Sequence, residues 1–177
     1  MGFAEERAVA EEALASYERN DPAETVFPPA AQRIRRAREA LTLTQEDVAT
    51  RWGEQVSMYW DLEFHDDEAF TVISVRQLQR LASVLETTVN VLLFGEEPTP
   101  PLPTVQHRDV VAGLDLCMAE DAISIDQLGD RIGWELRPLL ADSGALGDLP
   151  VSGLWSVCRA ANEDWVGVIN TEQNSRG

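Results

Sequence analysis

Apolar residues along this chain return every three or four positions, the period of helices buried along one face. Between residues 31 and 95 they fall into a series of short stripes. Ile34, Ala37, Leu41 and Leu43 form the first, Val48, Ala49 and Trp52 the second, Leu78, Leu81, Ala82 and Leu85 another, and Val89, Val91, Leu92 and Leu93 the last. Thr44, with Asp47 three residues on, is placed to cap the second helix, because its side-chain oxygen can accept from the unpaired amides of the first turn. Gly53 is placed to end that helix in the left-handed conformation. Upstream, AEERAVAEEALASYER at 4–19 consists of helix formers with modest apolar content in Ala8, Leu14 and Tyr17, and Asp21-Pro22 stops it. Residues 1–30 are therefore expected to form a helical arm rather than part of a core. Downstream, four prolines within 98–103 predict a stiff, extended linker over 96–106.

The second half repeats the pattern of the first. Shifted by 80, LTLTQEDVATRWG at 41–53 lies on DAISIDQLGDRIG at 121–133, so that Thr44 meets Ser124, Ala49 meets Gly129 and Gly53 meets Gly133. Further on the offset becomes 76, and Val75, Leu78, Leu81, Ala82, Leu85 and Val89 overlie Val151, Leu154, Val157, Cys158, Ala161 and Trp165. One change of offset means four extra residues in the first copy, within FHDDEAFTVIS at 64–74. The reading is an all-α chain of two tandem five-helix bundles, 31–95 and 107–170, followed by a disordered tail over 171–177.

Charge changes what such a bundle is expected to do. The 177 residues carry a formal net charge of -17, and all 14 basic residues are arginine. That balance repels phosphate and disfavours non-specific nucleic-acid binding, which is driven by cations displacing condensed counterions. The bundle at 31–95 is the least acidic segment. Its RIRRAR run, 33–38, reads either as a phosphate patch or as a solvated helix face. The sequence has no apolar run long enough to span a membrane and no secretory signal pattern, so a cytoplasmic protein without membrane contact is expected. Cys117 and Cys158 read as small buried thiols, and His65 beside Asp66 and Asp67 is too local to hold a metal. No nucleophile with a placed base and no glycine-rich phosphate loop occurs, so neither a catalytic site nor a cofactor is expected.

The order of helix, capped helix, glycine turn and second helix ending in Glu63 resembles the Cro/C1-type (XRE-family) helix-turn-helix domain. Gln45, Ala49, Gly53, Tyr59, Leu62, Glu63 and the closing LLFG at 92–95 carry the resemblance. It implies two lambda-repressor-like bundles, the second degenerate, with Ile125 and Ser143 at the places of Gln45 and Glu63 and with Pro138 in its third helix. Ala49 and Gly53 are then structural, the one small for a close helix crossing, the other for the turn. Arg38 and Glu63 are the pair that ties the first helix to the third. The resemblance further implies that Gln45 and Arg51 meet phosphate while Gln55, Val56, Ser57, Trp60 and Asp61 lie on the face that enters the major groove.

Two functions follow. The first is a sequence-specific DNA-binding transcriptional regulator that uses the first bundle on double-stranded DNA as a possible homodimer. The second is an acidic protein-binding adaptor, antitoxin-like or immunity-like, that reuses the scaffold without reading DNA and engages a protein partner, including through its acidic C-terminal half. Asp66, Asp67 and Glu68, expected beside the phosphate chain, and the outward Trp60 count for the second; the commonest use of such a scaffold counts for the first.

Overall fold

The structure is a computed structural model that describes residues 2–21 and 25–174. Twelve α-helices and one 3-10 turn are its regular elements among the described residues, with no strand, so the chain is all-α. It divides into two compact units, one ending at Pro101 and one starting at Leu102.

The first unit holds α1 (Phe3–Glu18), α2 (Ala30–Ala40), α3 (Gln45–Trp52), α4 (Val56–Leu62), the one-turn α5 (Glu68–Thr71), α6 (Val75–Val84) and α7 (Val89–Phe94). Thr44 accepts from the Asp47 amide while Asp47 reaches back to the Thr44 amide, the reciprocal cap that its sequence predicts. Gly53 then turns the chain with φ 82. Ile34, Val48, Ala49, Tyr59, Leu62, Leu78 and Leu81 close the core. The Trp52 indole donates to the Gln77 carbonyl at 2.8 Å and locks α3 to α6.

The expected N-terminal arm is instead built into this unit. Phe3, Ala10, Ala13 and Leu14 are buried, the Phe3 ring meets Phe94 edge-on at 5.0 Å, and Glu6 pairs with Arg33 at 2.9 Å. Two of these four apolar residues are alanines, which give a stripe little hydropathy. The four-residue surplus is likewise anchored: α5 turns Ala69 and Phe70 inward, and Phe27 stacks on Phe70 at 5.0 Å.

The expected linker is shorter than 96–106. The Glu96 carboxylate accepts from the Phe3 amide, Glu97 accepts from Thr88 and Asn90, and Pro98 is buried, so this end belongs to the first unit. At the other end the Val105 amide donates to the Gly167 carbonyl at 3.3 Å within the second unit.

The second unit holds α8 (His107–Asp121), α9 (Ile125–Ile132), α10 (Arg137–Ala141), a 3-10 turn at Ala145–Asp148, α11 (Val151–Ala161) and α12 (Trp165–Asn174). Pro138 sits in the first turn of α10, where its missing amide hydrogen leaves no gap. The last helix extends through 171–174, into the segment expected to be a disordered tail; 175–177 lie outside the described residues. The α8–α11 crossing is so close that a Cβ on Gly113 would stand 2.1 Å from the Ala161 carbonyl oxygen. Cys158 is buried in α11, as expected, whereas Cys117 is only half-buried. Burial pushes the Cys158 thiol well above its ordinary range, with the charges of Asp164 and Glu163 adding to it.

Backbone details recur at the offsets read from the sequence. Helix α3 starts and ends 80 residues before α9, and α6 and α7 start 76 before α11 and α12. Among the described residues the left-handed positions Thr42, Gly53 and Glu86 are matched by Ala122, Gly133 and Asn162 at 80, 80 and 76. Thr44 and Ser124 share φ -79 and ψ 165. The surplus is spread over the stretch between Leu62 and Val75 rather than inserted at one point, since five residues separate α4 from α5 where three separate α10 from the 3-10 turn.

Gly113→Ala forces α8 and α11 apart against a backbone carbonyl that cannot rotate away. It is expected to destabilise the second unit by about 1–3 kcal/mol, against roughly 1 kcal/mol for Gly133→Ala, which meets open space and loses only glycine's conformational freedom. Denaturant unfolding of the two variants checks the order.

Candidate functional site

The face of α4 is set from beneath by one buried ion pair. Arg38 on α2 meets the Glu63 carboxylate with both ends of its guanidinium, Nε to Oε1 at 2.6 Å and Nη2 to Oε2 at 3.0 Å. Its remaining nitrogen donates to the Leu43 carbonyl at 2.9 Å. Burial pulls the Glu63 carboxyl upward, but the donors of Arg38, with Tyr59 and Gln45 beside it, overcome that and hold it below the usual carboxylate range. Tyr59, fully buried next to this pair, is pushed far above its ordinary range, by burial first and by the Glu63 carboxylate second.

This pair gathers in residues that the sequence reading sent to DNA. The Gln45 amide donates to Glu63 Oε2 at 2.8 Å, so in this structure it serves the ion pair instead of facing outward for a phosphate. Arg35 donates to the Glu63 backbone carbonyl at 2.9 Å and lies 5.2 Å from the centre of the Phe64 ring. Arg33 is pinned inside by Glu6 and the Leu93 carbonyl. Of the RIRRAR run only Arg36 is exposed without an ion pair among the described residues. Arg51 is the other such cation near α4, and it stands on the last turn of α3. Arg80 is paired with Glu54 at 2.6 Å.

The remaining candidates do share one surface. Gln55 precedes the first turn of α4 as its N-cap, and Gln55, Val56 and Ser57 are exposed. Trp60 is 47% exposed and Phe64 52%, and their ring centres are 4.3 Å apart. With Val56, one helical turn before Trp60 on the same face, they make an exposed ridge that Phe64 continues just past the end of α4. Phe64 is a residue of this face that the sequence does not single out, because it falls just past Glu63 in the stretch that carries the four extra residues.

Carboxylates flank the ridge. Asp66, expected beside a phosphate, instead turns inward and accepts from the Ala31 amide at 3.0 Å, completing the start of α2, where backbone donors lack helical partners. Asp61, Asp67 and Glu68 remain. Burial raises the Glu68 carboxyl above its usual value, the charges of Asp67 and Asp61 raise it further, and His65 opposes them. These acids are close enough to repel one another.

In the second unit, the places of Arg38, Gln45 and Glu63 at the offset of 80 hold Met118, Ile125 and Ser143, so the buried pair is missing. Its α10 is tied instead by Arg137 to Asp126, an exposed contact at 2.6 Å. Compared with known proteins, the chain matches no family model, no curated protein and no solved structure.

Removing one partner of the buried pair leaves a charge without compensation. Arg38→Ala is expected to cost about 3–5 kcal/mol, and the joint Arg38→Met and Glu63→Leu exchange distinctly less. Because the folded-state Glu63 titrates below its unfolded value of about 4.3, its contribution is complete above that value and is lost as the pH falls through the folded one. Melting temperatures followed from neutral pH down to about pH 3 should drop less steeply in Glu63→Gln than in the wild type.

Proposed function

We propose that this protein is an acidic docking adaptor built on a helix-turn-helix scaffold, and that α4 presents its docking face to a protein partner. The observation that carries this reading is the pair of adjoining, half-exposed rings of Trp60 and Phe64, 4.3 Å apart, on the face that would otherwise meet base edges. An exposed indole beside a second ring is the kind of anchor on which protein interfaces depend. Acids at Asp61, Asp67 and Glu68, the inward engagement of Arg33 and Arg38 and the tethering of Arg35 to the Glu63 carbonyl support it, since duplex affinity grows with the number of cations that reach phosphate. Among the described residues no helix is long and apolar enough to cross a membrane. A cytoplasmic site belongs to the same proposal, and the free thiols of Cys117 and Cys158 accord with a reducing compartment.

The second unit is, on this proposal, a diverged copy of the first, supported by the matched left-handed residues and helix starts. Left-handed non-glycine residues each cost about 1–2 kcal/mol, so their recurrence at the two offsets read from the sequence, Thr42 with Ala122 and Glu86 with Asn162, is a poor match to chance.

A second reading, a sequence-specific DNA-binding regulator, is favoured by one observation. Gln55, Val56 and Ser57 stand exposed at the start of α4, and Arg51 on the preceding helix is exposed and forms no ion pair among the described residues, the placement a groove reader needs. The two readings separate in one comparison. On the docking reading, affinity capture from the source cells returns a stoichiometric partner that Trp60→Ala with Phe64→Ala loses, and selection from genomic duplexes at low salt returns nothing. Enrichment of a palindromic duplex whose binding is abolished by Arg51→Glu and spared by Phe64→Ala would instead establish the regulator.

A further inference from the structure

We propose that the ridge of Val56, Trp60 and Phe64 receives a cationic amphipathic helix of another protein. This rests on the docking reading above and names the partner that reading leaves open. Side chains spaced i, i+4 and i+8 form a raised line, and such a line fits the furrow between side-chain rows on a second helix. Val56 and Trp60 lie one turn apart on α4, and Phe64, two residues past the end of the helix, extends the row through its ring contact with Trp60. Exposure along it is continuous: Val56 40%, Trp60 47% and Phe64 52%.

Charge selects among helices of that shape. Asp61 lies on α4 itself, Asp67 and Glu68 lie where the chain returns from it, and Glu68 feels the charge of both. The cation already at this surface, Arg35, faces the Phe64 ring and is held by the Glu63 carbonyl, which leaves the three acids without an ion-pair partner among the described residues. Lysine or arginine beside the apolar row of an incoming helix would relieve their mutual repulsion, and a guanidinium would find a ring face of the kind Arg35 already uses. A second copy of this chain is a poor occupant. A two-fold contact sets each patch against itself, which brings like carboxylates together.

The test is fluorescence anisotropy of a labelled helical peptide of about 18 residues, long enough to cover the ridge, with leucines on one face and lysines on its flanks, titrated with the full chain. A peptide with glutamate in place of each lysine is run beside it. The lysine peptide is expected to bind with an affinity that falls as salt rises, and the glutamate peptide not to bind. Trp60→Ala leaves the net charge unchanged and is expected to weaken binding at least about tenfold. Asp61→Asn with Glu68→Gln is expected to flatten the salt dependence. Binding that survives Trp60→Ala would be attraction to an acidic protein in general and would overturn the inference. So would equal binding of the two peptides, or none by the lysine peptide. If the inference fails while the captured partner still depends on Trp60 and Phe64, the docking reading stands with a partner of other shape; if both fail, the docking reading falls too.

Discussion

The first unit is organised around the Arg38–Glu63 pair. Two charges taken out of water are tolerated only when each hydrogen-bonding group around them is matched, and here the neighbourhood is recruited to do so. Arg38 satisfies the Leu43 carbonyl, Gln45 adds a donor to Glu63, and Arg35 takes up the Glu63 backbone oxygen. The end of α4 is thereby fixed to α2 and to the start of α3 through side chains rather than by apolar contact alone. An arrangement of this kind adds little net stability over a greasy substitute. It sets the orientation of a short helix that has only Tyr59 and Leu62 to anchor it inward.

What the pair recruits, the surface loses. Arg38 and Gln45 are drawn to the Glu63 carboxylate, Arg35 is tied at the surface to the Glu63 backbone carbonyl and Arg33 is held by Glu6, so past its first turn the outward side of α4 is left with aromatic rings and carboxylates. The electrostatic character of the face thus follows from the way the scaffold is held together, as much as from the total charge of -17. The second unit shows the contrast. Without a buried pair it holds α10 by the exposed Arg137–Asp126 contact, of a class worth little in water, and relies on close backbone approach at Gly113 and on the Trp134 indole against Gly153.

How much was legible in the chain varied with the range of the interaction. The caps at Thr44 and Ser124 and the turns at Gly53 and Gly133 involve residues within one turn of each other, and their spacing read correctly. The offsets of 80 and 76 were equally plain, because repetition in a sequence needs no knowledge of contacts. The place of α1 was not, since Ala10 and Ala13 pack closely yet carry little apolar signal. Nor could Asp66 be told from Asp67: adjacent acids in one loop differ only in which of them faces the open amide at Ala31.

By itself the sequence determined an all-helical chain, its helix ends and the offsets at which helix starts recur, because these follow from local backbone preferences and periodicity, while the partnership of Arg38 with Glu63 was implied by the resemblance to a helix-turn-helix domain. Tertiary structure alone decided which arginines stayed outside, which acid turned inward, and that Phe64 joined Trp60 on one surface. Those outcomes depend on where distant donors, acceptors and rings meet once the helices have packed, and no spacing along a chain encodes that meeting directly.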